Sequence, residues 1–488
     1  LIAKALLLAL SLLGQGSDDV MTAYMVTITA ESPRTAEVEI VLARAASGLH
    51  MSDRGAGQLD DGWSHFVRDV SATDANGNAV AVEKSGPRGW RLGDGGVPIS
   101  VRYVVDLAHD FEEDWPGGID GAAYATDWGV FYTGRALFVV PDGQLGDVRV
   151  GFDLPDGWHA STPWDAVDGE GDGFDVGDEI SLTESILFAG EHKNVRIEKG
   201  GFEVLFALGG SSVIARKDEF YAAAEETFAY YIDLLGDAPR PPPDESASRI
   251  LVVMNEAGVT DGEVIGRHIS MLLEPDPGPM EQIFARFMFP HEFFHLWNGT
   301  SIRRDGPEDW FSEGFTNFYT MKALYRSGAL DEESYFGVLN GLLYQRYRAD
   351  DGTGVISMRD AVSEKDRHWG LIYGGGTFVA ICHDIEIRRR TDNTASLDDL
   401  MRTMFDRYGG SHETYTAVDV EALVSELSGA NQGDFYARHI YGVEPIPIDA
   451  CLRGAGFHAE IEAGHLRVSR KKDATPLENS IIEGMLGS

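Results

Sequence analysis

Basic residues and cysteines are both scarce in this chain. Against 79 Asp and Glu stand only 40 Lys and Arg over 488 residues, a formal net charge of −39 with the acids scattered along the length. Such a surface repels nucleic acid and anionic membranes, which excludes both as partners, and it tilts the chain toward neutral or cationic substrates. The two cysteines, Cys382 in the apolar run FVAIC and Cys451, lie far apart, so neither a disulfide framework nor a cysteine metal site is expected. Long apolar runs are missing as well. The run from Ala5 to Leu13 falls short of the roughly 20 residues that a membrane span needs. With Lys4 before it and Gly14 and Gly16 after it, residues 1–16 read as a secretory signal peptide. The mature protein is therefore expected to be exported, periplasmic or secreted, without stable membrane insertion.

What is present divides the chain in two. From Met21 to Leu208, short alternating runs such as YMVTITA, AEVEIVLA and ISVRYVVDL are separated by Gly, Asp and Pro turns, the pattern of an antiparallel β domain. At Arg216 the period changes: RKDEFYAAAEETFAYYIDLLG places Phe220, Tyr231 and Leu234 at helical spacing and stops at Gly236. RILVVMN and ISMLLEP then read as strands, and helical patterns dominate to about Tyr441. The fold class is α+β, with a β domain over 17–209, a mainly helical catalytic domain over 210–448 and a short tail over 449–488.

The chemistry gathers in HEFFHLWNGT. His291 and His295, four apart, share one face of a helix and can aim ring nitrogens at one point, while Glu292 on the next face can reach a water there without binding the metal. A third ligand is available at Glu313 in DWFSEGFTNFY, on a helix that begins near Pro307 with Glu308 and Asp309 in its first turn. A carboxylate among Trp310, Phe318 and other apolar groups needs a partner, and a metal supplies one. Two histidines, a glutamate and one open position form the ligand set of hydrolytic zinc. Asn317, one turn after Glu313, is a candidate to accept the outer ring N–H of a ligand histidine. Glu292 is the candidate base, and Tyr373, ahead of three glycines in LIYGGG, is the candidate donor to a developing oxyanion.

HEFFHLWNGTSIRR with WFSEGFTNFY resembles the glycyl aminopeptidase family of gluzincin zinc metallopeptidases. LIYGGGTFVAICHDIEIRRRT and FYARHIYGVEPIPIDACLRGAGF extend the resemblance, which covers roughly residues 20–457. It implies a thermolysin-like catalytic domain after the β domain, one Zn2+ per chain on His291, His295 and Glu313, Glu292 as catalytic glutamate and Tyr373 as transition-state tyrosine. It also implies an aminopeptidase acting on peptides with small N-terminal residues. Two departures stand out. No PDZ domain, common in the family, is expected within 449–488. Where family members commonly read GGLEH, this chain reads VIGRH, with Arg267 in place of an amine-anchoring glutamate. The expected substrate-binding stretch is Gly266, Arg267 and His268, with Glu263 or Glu256 supplying the missing anion. An arginine holds a carboxylate or carbonyl rather than an ammonium, so an endopeptidase or altered specificity is the alternative. A non-catalytic protein keeping zinc for stability is a further one, and Trp63, Trp90, Trp115 and Trp128 are candidates for carbohydrate or partner binding.

Overall fold

Alternation of apolar and polar residues sets the first sheet. In the computed structural model, β1 (Met21–Thr29) pairs antiparallel with β2 (Ser32–Leu42), which pairs antiparallel with β3 (Ile99–Asp106). Tyr24 faces Ile40 and Val26 faces Val38; Val38 in turn faces Tyr103, and all five side chains are buried. On the opposite face Glu39 meets Arg102 at 3.0 Å. The pleat thus puts one residue in two into the core. The other edge of β1 pairs in parallel with β4 (Asp147–Asp153), so this eight-stranded sheet is not antiparallel throughout.

The structure describes residues 21–487 apart from 31, 57–58, 107–122, 144, 168–171, 241–242 and 244–248. The signal-peptide expectation and Trp115 lie outside the described residues. Trp63 and Trp90 are buried in the core of the first unit, and Trp128 is half-buried with its indole N–H donating to Asn255 Oδ1 at 3.3 Å.

By compactness the chain forms two units, residues 1–221 with 244–281, and residues 222–243 with 282–488. The first carries a second sheet of five strands: β5 (His192–Lys199), β6 (Phe202–Gly209), β7 (Arg249–Glu256), β8 (Asp261–Ile265) and β9 (His268–Leu273), in spatial order β5-β6-β7-β9-β8. β6, β7 and β9 run parallel, with Leu208 beside Met254 and Val253 beside Ser270. The sequence boundary at 209/210 therefore cuts this sheet between β6 and β7, and residues 249–273 pack with the first unit.

The second unit is helical. Its principal helices are α1 (Lys217–Leu235, from Ala222 onward), α2 (Pro279–Phe294, from Gln282), α3 (Asp309–Arg326), α4 (Gly375–Arg390), α5 (Leu397–Tyr408), α6 (Ala417–Ser428), α7 (Ile448–Gly454) and α8 (Pro476–Leu486). A hairpin of β10 (Phe457–Glu462) and β11 (His465–Arg470) precedes α8. α3 and α4 cross with their backbones in contact: a Cβ on Gly314 would overlap the Gly376 main chain, and one on Gly376 would overlap the Trp310 carbonyl. Cys382 and Cys451 form a disulfide joining α4 to α7, their Cα atoms 5.2 Å apart. This corrects the expectation that no disulfide is indicated, since packing of two helices overrides a sequence separation of 69. No helix among the described residues is long and apolar enough to cross a membrane.

Candidate metal centre

Pro290 lies inside α2 near its end, where its ring removes one backbone donor, and its carbonyl accepts the Tyr231 hydroxyl at 3.0 Å. Immediately after it, His291 and His295 project Nε2 atoms to within 3.1 Å of each other, and Glu313 Oε2 from α3 lies 3.5 Å and 3.2 Å from them. All three residues have nearly buried side chains. A metal about 2.1 Å from each donor of a tetrahedral set has its ligands about 3.4 Å apart. The triangle has that size. Asp350, Asp351 and His368 also lie close enough to form a metal-ligating group. Asp350 is taken up by the ring of His368 at 2.8 Å and by the N–H groups of Gly352 and Leu371, both at 2.9 Å, and Asp351 by Arg367 at 2.6 Å.

The His295 ring is oriented by the carbonyl of Asn298, 3.0 Å from Nδ1. A carbonyl only accepts, so Nδ1 carries the proton and Nε2 presents a lone pair to the vertex. The Asn298 side chain at the same time donates to the Ser312 carbonyl at 3.1 Å and to Thr316 Oγ1 at 3.2 Å, tying the loop after the histidines to the helix that bears Glu313. Asn298 thus holds the outer nitrogen of His295, while Nδ1 of His291 is buried with no hydrogen-bond partner. Asn317, one turn beyond Glu313, is buried and its Nδ2 has no hydrogen-bond partner.

Charge at the vertex favours a cation. Burial works against a charged His295, yet the Glu313 and Glu292 carboxylates outweigh it and raise its pKa. Burial likewise would push Glu313 up, and His295 together with Lys365 holds its carboxyl well below the usual carboxylate range. Lys365 Nζ sits 2.7 Å from Glu313 Oε1 and 3.4 Å from Asp309 Oδ1. Beside these, Glu308 accepts the Trp310 indole N–H at 2.8 Å and pairs with Arg359 at 3.3 Å, and Arg304 meets Asp309 at 3.0 Å. Three buried acids at the start of α3 therefore face three cations.

Tyr373 stands beside the triangle. Its ring stacks on Trp369 at 4.7 Å and lies 6.3 Å from the His291 ring, nearly parallel to it. Burial and the Glu313 carboxylate raise its pKa strongly, so the phenol is a proton-bearing donor. Glu292 is buried on the same turn as His291. The structure therefore brings together His291, Glu292, His295, Glu313 and Tyr373. Gly266, Arg267, His268 and Glu263 belong to the β8–β9 hairpin of the first unit. There Arg267 is buried, lining a small cavity with Glu184 and Ser181, and His268 accepts the Leu251 N–H at 3.1 Å. Glu256 is engaged by the Ser212 N–H at 2.8 Å and hydroxyl at 2.6 Å. Sequence reading missed Lys365 and Asn298. Asn298 lies inside HEFFHLWNGT and was within reach; Lys365, in SEKDRHWG, carries no local signal.

Residues 18–186 match the sequence profile of the Peptidase M61 N-terminal domain, and residues 285–375 match that of M61 glycyl aminopeptidase. Among solved structures, an aminopeptidase N family protein from Idiomarina loihiensis is similar with a TM-score of 0.75 and 18% identity, over 91% of this chain and 79% of that one. That likeness is one of fold. No curated protein matches the chain.

Proposed function

The chain belongs to the M61 glycyl aminopeptidase family, and from that premise we propose that it is a zinc-dependent peptidase, an aminopeptidase acting on peptides with small N-terminal residues. The observation that carries this reading is the triangle of His291 Nε2, His295 Nε2 and Glu313 Oε2 with sides of 3.1, 3.2 and 3.5 Å. Two imidazoles and one carboxylate are a zinc donor set with room for a fourth ligand. When bound there, zinc supplies Lewis acidity toward water and the scissile carbonyl. In the proposed mechanism Glu292 takes a proton from the attacking water and delivers it to the departing amine. The Tyr373 hydroxyl donates to the carbonyl oxygen as negative charge develops on it. His295 is held in its ligand tautomer by Asn298 throughout.

Replacing Glu292 with Gln keeps shape and removes the base, so turnover of a peptide amide is expected to fall about 10³-fold with zinc retained. Unchanged turnover in that variant would sink the proposal. It would favour a non-catalytic protein that keeps zinc for stability.

Arg267 supports a second reading, an endopeptidase or altered specificity. By the resemblance of VIGRH to GGLEH it takes the place of an anion, it is buried, and Glu256 is already committed to Ser212. Free and N-acetylated versions of one peptide separate the two, because an amine-anchoring enzyme rejects the blocked form. We also propose an exported protein, which the Cys382–Cys451 bond supports, since such bonds persist in oxidising compartments.

A further inference from the structure

The two oxygens of Glu313 have different neighbours. Oε2 faces both histidine Nε2 atoms, at 3.5 and 3.2 Å, while Oε1 is 2.7 Å from the Lys365 ammonium. We propose that Lys365 is a positioning residue that pins Oε1 of Glu313 away from the metal, keeping this ligand to one oxygen and the remaining coordination positions open for water and substrate. The inference rests on the metallopeptidase reading above.

The ammonium is itself held in place. Asp309 Oδ1 lies 3.4 Å from it, and the centre of the Tyr373 ring 5.3 Å. Asp309 and Glu313 are both nearly buried, whereas a lysine paired only for solubility has an exposed partner. A charge-assisted bond to Oε1 is strong enough to compete with a second metal contact, which an unrestrained carboxylate is free to make. A carboxylate closed on the metal through both oxygens takes a position that hydrolysis requires to be free. A positive charge this close also repels a divalent cation, so its presence is poorly explained by metal affinity alone. It is better explained by geometry. The same ammonium interacts with Tyr373, so one residue sets both the ligand and the oxyanion donor relative to each other.

The test uses the full chain with Lys365→Met, Lys365→Gln and Lys365→Arg, each loaded with zinc and, separately, with cobalt. In Lys365→Met one equivalent of metal is expected to remain. The visible cobalt bands should lose about half or more of their intensity as the coordination number rises, because band intensity reports geometry. With zinc, kcat should fall about 10²-fold while KM stays within about threefold, the pattern of misplaced catalytic geometry. Lys365→Arg, which also donates to a carboxylate oxygen, should keep the wild-type cobalt spectrum and recover kcat to within about tenfold. Should the Met variant not fold, the contrast between Gln, with an altered spectrum, and Arg, with the native one, reads the same effect. A cobalt spectrum in the Met or Gln variant that superimposes on wild type overturns the inference, as does complete loss of metal with an unperturbed fold. Wild-type protein that takes up neither metal overturns the metallopeptidase reading itself, and the inference with it.

Discussion

In the first unit β2 and β3 bury one face and leave the other partly open, whereas in the second unit every residue of α3 from Asp309 to Leu324 is buried, acids and Lys322 included. On β2 and β3 a polar residue has an outward face to occupy, as Glu39 and Arg102 do. In α3 it has none. Each ionisable group there is matched by a specific partner: Glu308 by Arg359, Asp309 by Arg304, Lys322 by Asp398 at 2.8 Å, and Glu313 by Lys365 and the two histidines. Buried charges left unmatched cost several kcal/mol each, so α3 tolerates its charged residues only as a paired set. Chemistry sits where the fold can hold such a set rigidly.

Both cysteines lie in the second unit, so opening their bond is the sharpest way to separate the two regions. Freeing a loop of about 70 residues is expected to cost roughly 4 kcal/mol by chain entropy. Hydrogen exchange after reduction, or in Cys382→Ala/Cys451→Ala, should show lost protection in α4 and α7 and unchanged protection in β1, β2 and β3. Equal loss in the strands would contradict the comparison. So would no loss in α4.

Much of this contrast was legible beforehand, and the failures have one cause. Alternation located β1, β2 and β3, and the change of period at Arg216 anticipated α1, because both signals lie within a single element. His291, Glu292, His295 and Glu313 were legible because two short motifs carry them. Lys365 was not, since SEKDRHWG reads as a solvated charged segment until packing brings it 52 residues back to Glu313. The disulfide and the transfer of β7 to the first unit failed alike. β7 joins β6 in parallel, and a parallel pair requires a long connection that hides the pairing from a local reading.

Backbone contact is the next difference. Gly376→Ala forces α3 and α4 apart where no side chain can yield, and a loss of about 3 kcal/mol or more is expected. In the first unit Gly77 has a positive φ of 82° but nothing within 4 Å of its missing Cβ. Gly77→Ala should therefore cost only about 1 kcal/mol, the price of the conformation. Urea unfolding of the two variants reads both numbers. Similar losses would mean that the α3–α4 crossing relaxes more easily than its geometry implies.

The smallest expected effect compares a buried histidine from each unit. His192 in β5 is satisfied on both ring nitrogens, by Ser161 Oγ at 2.7 Å and by the Gly190 carbonyl at 3.0 Å, and His159 stacks on it at 3.8 Å. His383 in α4 packs on Phe435 and Tyr436, and its Nε2 has no hydrogen-bond partner. Burial, with the nearby His159 charge, pushes His192 down to about 3, and burial alone pushes His383 down to about 3. Protonation then favours the unfolded chain, whose histidines titrate near 6.5, so each residue's contribution is intact above that pH and is lost progressively toward pH 3. Between pH 8 and pH 5 the loss is about 2 kcal/mol for each residue. His192→Gln and His383→Leu should each remove that share of the pH dependence of urea unfolding. The two should differ at pH 8, where His192→Gln breaks satisfied hydrogen bonds and destabilises, while His383→Leu relieves an unpaired buried nitrogen and costs little. If both variants behave alike at pH 8, the difference in polar pairing between the sheet and helical units does not extend to neutral groups.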